Sequence, residues 1–287
     1  MPFHTLISAP DLAKLLSRQE APVLVDCRFD LMDPQAGQRA YRQSHIPGAH
    51  YLHLENDLSG AVTGRNGRHP LPDRDGFAAR MAALGVDEDT QVVACDNTGG
   101  MYAARLWWLM RWIGHRDVAV LDGGPDAWTA AGYPMTEAPT PAPANPGRLR
   151  PREALVHTVS HQDVRDNLAT RARLVVDARA PDRFRGENET IDPMGGHIPG
   201  ARNRLFRDNL TALGYFRTPD DLRAAFATLL GEYRPEQTIN QCGSGVTACH
   251  NLLAMEIAGL PGAALYPGSW SEWCAQPGAP IATGAAD

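Results

Sequence analysis

No run of about 18 uninterrupted apolar residues occurs anywhere in this chain of 287 residues, so no segment reads as a membrane-spanning helix. The opening residues, MPFHTLISAPDL, lack the positively charged stretch followed by an apolar one that marks a secretory signal. The expectation is a cytoplasmic protein with no membrane partner. A basic stripe is missing as well: the net charge is −6 and the arginines are dispersed, which argues against nucleic acid and leaves small molecules or proteins as partners. Paired cysteines are also absent. The five cysteines, at 27, 95, 242, 249 and 274, are odd in number and contain no CxxC, so neither a disulfide framework nor a zinc site is indicated. No His, Cys or carboxylate cluster has ligand spacing, and neither metal nor organic cofactor is implied.

What is present is a repeat. VLVDCR at 23–28 returns as LVVDAR at 174–179, and SHIPGA at 44–49 returns as GHIPGA at 196–201. Leu71-Pro-Asp before one helical stretch matches Thr218-Pro-Asp before another, and LDGGPDAW at 121–128 matches YPGSWSEW at 266–273. The order is kept, which chance does not readily produce. Between the copies lies TEAPTPAPANPGRLR, whose prolines favour extended backbone. The expected organisation is a first domain at 1–135, a Pro-rich linker at 136–152 and a second domain at 153–287. Short apolar runs at 23–27, 91–95, 118–121, 174–177, 238–241 and 263–266 read as buried strands. Stretches at 72–84, 101–113, 219–230 and 246–258 carry apolar residues at helical spacing. Strand and helix in alternation imply an α/β fold, a mostly parallel sheet with helices on both faces in each domain. Ligands of such sheets bind beyond the carboxyl ends of the strands, which singles out the loops at 96–100 and 242–246.

The second of these loops carries a nucleophile. In QCGSGVTACHNLL a cysteine ends a strand and opens a glycine loop into a helix, where backbone amides converge and favour an anionic sulfur. Cys242 is therefore the candidate nucleophile, and Gly243, Gly245, Val246 and Thr247 are candidates to cradle its sulfur. Cys27, Cys95, Cys249 and Cys274 read as core or incidental thiols. The histidines of the two HIPGA turns, His45 and His197, read as hydrogen-bonded braces.

The paired HIPGA motifs, the DxR strand ends, the DGG-x-x-x-W and PGS-W-x-E-W segments and the CGSGVTA loop together resemble tandem-domain rhodanese-type sulfurtransferases over nearly the whole chain. The resemblance implies two rhodanese-like domains, the second catalytic and the first a silent copy. In agreement, alignment of the loops sets Asp96 opposite Cys242, and a carboxylate there can accept hydrogen bonds from the loop amides but not sulfur. It also implies that Cys242 takes sulfur as a persulfide and passes it to cyanide, a small thiol or thioredoxin. A CGSGVT loop is similar to those of 3-mercaptopyruvate sulfurtransferases, whereas thiosulfate enzymes carry two cations within the loop. A neutral Ser244 suits the protonation of an enolate leaving group. By position Arg183 matches the substrate-binding arginine of the family, with Arg185 beside it; Arg179 reads as a brace for the sheet. Asp192 stands where many mercaptopyruvate enzymes have a second arginine. The first domain also carries an insertion: 51 positions separate His45 from Asp96 and 45 separate His197 from Cys242, with the surplus near VTGRNGRHPLP at 62–72. There His69 matches a catalytic histidine of the family, and Glu55 is the best match to the acid that supports it.

Two rivals are weaker. Cysteine phosphatases need an arginine at the sixth position after the cysteine, and that position is Ala248. A binding-only protein would be expected to lose the cysteine from both loops, and only the first has lost it. Thiosulfate as donor, or a protein as sulfur acceptor, stays open.

Overall fold

A computed structural model describes residues 2–18 and 20–285. The expected outer limits Met1 and Asp287 lie outside the described residues. The chain forms two compact units, and they are not divided by a single cut. The first comprises Met1–Gly60, Pro72–Leu155 and Ala212–Phe216; the second comprises Ala61–Leu71, Val156–Thr211 and Arg217–Asp287. The Pro-rich segment belongs to the first unit. Its end is hydrogen-bonded there, Gly147 N–H donating to the Ala82 carbonyl at 2.7 Å and Arg152 N–H to that of Ile113 at 2.8 Å, and Leu149 is buried. The insertion at 61–71 belongs to the second unit.

The first unit contains β1 (Leu6–Ile7), α1 (Ala9–Leu16), β2 (Val23–Asp26), α2 (Ala36–Gln43), β3 (Ala49–Tyr51), α3 (Arg74–Ala83), β4 (Val92–Cys95), α4 (Ala103–Trp112), β5 (Val118–Leu121) and α5 (Gly124–Ala130). The second contains β6 (His157–Thr158), α6 (His161–Thr170), β7 (Leu174–Asp177), α7 (Pro181–Arg185), β8 (Arg202–Asn203), α8 (Pro219–Leu230), β9 (Thr238–Gln241), α9 (Thr247–Ile257), β10 (Ala264–Leu265) and α10 (Ser269–Trp273). The sheet orders are β1-β5-β4-β2-β3 and β6-β10-β9-β7-β8, the same order in both units, and every pairing is parallel. Strands such as VVAC in β4 and VAVL in β5 are buried at every position, as a parallel sheet covered on both faces requires.

Helix starts are chemically marked. Ser8 accepts from Asp11 N–H at the start of α1, and Ser160 and Asp163 form a reciprocal capping box at the start of α6. Each cap is worth about 1 kcal/mol.

The DxR and HIPGA repeats form one brace, built twice. Arg28 pairs with Asp26 and donates to the Ser44 carbonyl at 2.7 Å; Arg179 pairs with Asp177 at 2.7 Å and donates to the Gly196 carbonyl at 2.6 Å. The histidine that follows is held by its own Nδ1, to the Tyr41 carbonyl for His45 and the Phe184 carbonyl for His197. Each also stacks on the aromatic ring of the residue that supplies that carbonyl. The braces lock the ends of β2 and β7. Register then places Asp26 beside Cys95 and Asp177 beside Gln241, so that β4 and β9 both release their loops at the same edge of their sheets.

Candidate active site

The loop after β9 closes around one sulfur. Cys242 is 2% exposed, its own N–H donates to Ser269 Oγ at 3.1 Å, and its carbonyl accepts from Trp270 N–H at 2.9 Å. Ser244 N–H and Gly245 N–H then point at Sγ, at 3.4 and 3.1 Å. Two amide donors beside the N-terminus of α9 stabilise negative charge on that atom. Gly245 is required for the turn: its φ is +77°, and a Cβ there would sit 2.4 Å from the Pro267 carbonyl oxygen. Val246 is the residue before α9 and Thr247 the first within it, which places both at the mouth of the helix.

The other thiols lie in different surroundings. Burial pushes the Cys27 and Cys95 thiols well above the ordinary range, and burial with the nearby Asp192 carboxylate raises Cys274 to about 11. Cys249 is buried in α9, its S–H donating to the Gly245 carbonyl at 3.2 Å.

In the first unit the same loop shows what an anion receives. Asp96 Oδ1 accepts from Thr98 N–H at 2.8 Å, Thr98 Oγ–H at 3.1 Å and Gly100 N–H at 2.9 Å. Its Oδ2 accepts from Tyr102 N–H at 2.7 Å and Ala103 N–H at 2.8 Å. The carboxylate fills its loop and holds no nucleophile, as expected from the alignment with Cys242.

His69 and Ser244, 175 positions apart, meet within the second unit. His69 Nδ1 and Ser244 Oγ are 2.7 Å apart, both side chains are buried, and the serine hydroxyl donates in the tautomer that carries its ring proton on Nε2. The structure thus brings these two candidate residues into contact. Glu55 is an exposed residue of the first unit whose N–H donates to His53 Nδ1 at 3.2 Å.

Arg183 stands over the loop. A Cβ on Gly243 would lie 3.7 Å from Arg183 Nη2 and 3.1 Å from Nη2 of a second arginine, Arg68. Arg185 is elsewhere, paired with Glu187 at 2.7 Å on the surface. The two arginines over Gly243 are held by acids: Arg183 pairs with Glu189 at 2.8 Å and Asp192 at 3.1 Å, and Arg68 with Asp192 at 2.6 Å. Burial pushes the Glu189 carboxyl up, but hydrogen bonds from Arg183 and from the Asp192 and Ile191 amides outweigh it, leaving the group below its ordinary value. Sequence reasoning missed Arg68 and Glu189. The only available signal for Arg68 was its place beside His69 in the insertion.

A family of known proteins shares this pattern. The rhodanese-like domain matches the chain twice, at residues 8–131 and 160–276. A "Probable 3-mercaptopyruvate sulfurtransferase" of Pseudomonas aeruginosa is 46% identical over 281 residues, 97% of this chain and 98% of that one. A "Thiosulfate sulfurtransferase" of Cricetulus griseus is 37% identical over 242 residues, 82% of this chain and 79% of that one. Among solved structures, the 3-mercaptopyruvate sulfurtransferase from Leishmania major superposes with a TM-score of 0.84 at 30% identity, covering 95% of this chain and 75% of the other. With both halves matched by one family and full-length relatives named for sulfur transfer, this chain belongs to the tandem rhodanese-like sulfurtransferases.

Proposed function

We propose that the chain transfers sulfur from 3-mercaptopyruvate, through a persulfide on Cys242, to cyanide or a thiol acceptor such as a small thiol or thioredoxin. The observation that carries the donor assignment is the 2.7 Å contact between Ser244 and His69, one residue on from the loop's first glycine. The Cys242 thiolate attacks the donor sulfur, the new S–S bond forms as the donor C–S bond breaks, and that electron pair leaves as the enolate of pyruvate. The donor thiol's proton passes to the Ser244–His69 pair, and the same pair returns a proton to the enolate carbon, so that pyruvate leaves neutral at that carbon. Arg183 orients the donor carboxylate. The persulfide stays among the loop amides until the acceptor's nucleophile takes its outer sulfur and restores the Cys242 thiolate. The amides that face Sγ, and the amide pattern around Asp96 in the first unit, support this resting place.

One observation favours a second donor. Arg68 and Arg183 over Gly243 supply cations that the loop itself lacks, and thiosulfate leaves as an anion, sulfite, that cations assist. Side-by-side kcat/KM values for 3-mercaptopyruvate and thiosulfate, each with cyanide as acceptor, separate the readings. A preference for mercaptopyruvate is expected; a preference for thiosulfate would overturn the donor assignment and leave Cys242 in place.

A further inference from the structure

Ser269 stands in a conformation that an L-residue avoids. Its φ is +54°, in the left-handed region where a side chain crowds its own backbone, and only one other non-glycine residue among the described ones, Arg171, has a positive φ. The first unit uses glycine at this place. When LDGGPDAW is set on YPGSWSEW, Gly124 falls opposite Ser269 with a closely similar φ of +59°, and a Cβ there would lie 2.0 Å from the Asp96 carbonyl oxygen. The second unit thus keeps a fully buried side chain in a turn that its copy builds with glycine. A strained residue of this kind persists only where its surroundings hold it.

The hydroxyl is what the serine adds. Ser269 Oγ–H donates to the Tyr266 carbonyl at 2.9 Å, which turns a lone pair of the same oxygen towards Cys242 N–H, accepted at 3.1 Å. A backbone amide as deeply buried as that of Cys242 needs an acceptor. The next two residues complete the grip: Trp270 N–H donates to the Cys242 carbonyl and Ser271 N–H to the Gly243 carbonyl, both at 2.9 Å. Pro125, opposite Trp270, has no N–H to give, so the first unit cannot make the same set of bonds. Ser271 Oγ also accepts from Arg68 N–H at 3.0 Å, and a Cβ on Gly67 would lie 2.6 Å from the Gly268 carbonyl oxygen. One turn therefore seats both the Cys242 loop and the segment that carries His69.

We infer that Ser269 is a positioning residue for sulfur transfer: its hydroxyl fixes the Cys242 peptide and so aims Sγ at the Ser244 and Gly245 amides. The left-handed backbone is tolerated because a hydroxyl is needed there. Fixing that peptide limits the directions in which the sulfur can point, and the orientation of the attacking atom sets the rate of a displacement. The inference rests on the proposed role of Cys242 and is independent of which donor is used.

Ser269→Ala and Ser269→Gly, made in the full chain, separate the hydroxyl from the backbone. Alanine keeps the left-handed strain and loses the hydroxyl; glycine loses both. Each is expected to lower kcat about tenfold at unchanged KM, with 3-mercaptopyruvate and with thiosulfate, the scale of one buried hydrogen bond. Alkylation of Cys242 by iodoacetamide, followed by peptide mapping, should slow by the same factor without any donor present. The glycine variant should nevertheless melt above the alanine variant. Activity that is equal where stability differs is a result that a merely structural serine would not give. Wild-type kcat and alkylation rate in Ser269→Gly would overturn the inference, and so would a loss carried by KM alone. If Ser269→Ala does not fold, the glycine variant decides by itself. Cys242→Ser is the control: retained turnover there removes the nucleophile reading, whereas an inactive Cys242→Ser beside a fully active Ser269→Gly removes only the positioning role.

Discussion

Ser244 and His69 divide binding from chemistry only under the proposed mechanism, in which Arg183 holds the donor's carboxylate and the contacting hydroxyl and imidazole move the proton, so that reading places their loss in kcat. Ser244→Ala and His69→Asn are each expected to lower kcat with 3-mercaptopyruvate by on the order of a hundredfold, with no matching loss when preformed persulfide is discharged to cyanide. Their double variant should be little worse than either single one, because the hydroxyl and the imidazole act as a unit at 2.7 Å. Stopped-flow separation of the two half-reactions checks this, and an unchanged kcat in both single variants would remove the proton role. Cys242, Ser244 and the cradle were legible because they fall in one contiguous motif. His69 was legible only by resemblance, and Arg68 not at all: its partners Asp192 and Ser271 are 124 and 203 positions away, and a charge in a loop does not reveal its partner across such distances.

Elements show the same loop solved in two ways. After β9 the amides face a thiol; after β4 they are consumed by Asp96, which accepts from four of them. Asp96→Ala should leave those donors buried without a partner and destabilise the first unit by on the order of 3 kcal/mol, read as a shift of the denaturation midpoint. A shift near zero would mean that the carboxylate is incidental to the loop. Asp96 also explains a boundary that periodicity misplaced. The apolar spacing extends the helix to Met101, but α4 begins at Ala103, because the Tyr102 and Ala103 amides are turned towards Asp96. Likewise α3 begins at Arg74 rather than at Pro72, since Asp73 caps it by accepting from Gly76 N–H at 2.7 Å. Where a strand or helix was apolar and bounded by turns, as in Val118–Leu121 and Pro219–Leu230, sequence and structure agree to the residue. The two-residue strands β1 and β6 carried no detectable period and went unread; their place at the sheet edge is fixed by pairing with β5 and β10.

The whole molecule is a duplicated α/β unit in which the corresponding loops carry Cys242 in one copy and Asp96 in the other. The repeat was visible because both copies reuse the same brace, Asp-x-Arg against the turn of HIPGA, and the two sheets have the same strand order. The exchange of short segments was not. Ala212–Phe216 belongs to the first unit, with Phe216 N–H donating to Asp122 at 2.9 Å, and Ala61–Leu71 belongs to the second, because a few polar contacts rather than a long apolar pattern decide where such loops settle. The second segment brings Arg68 and His69 to the Cys242 loop, and the account depends on sulfur being held there. The most direct test is the intact mass of the protein after exposure to 3-mercaptopyruvate without an acceptor, followed by peptide mapping. A gain of one sulfur atom on Cys242, absent from Cys242→Ser and discharged by cyanide as thiocyanate, is the predicted result. No gain, or a gain on another cysteine that survives in Cys242→Ser, would contradict it.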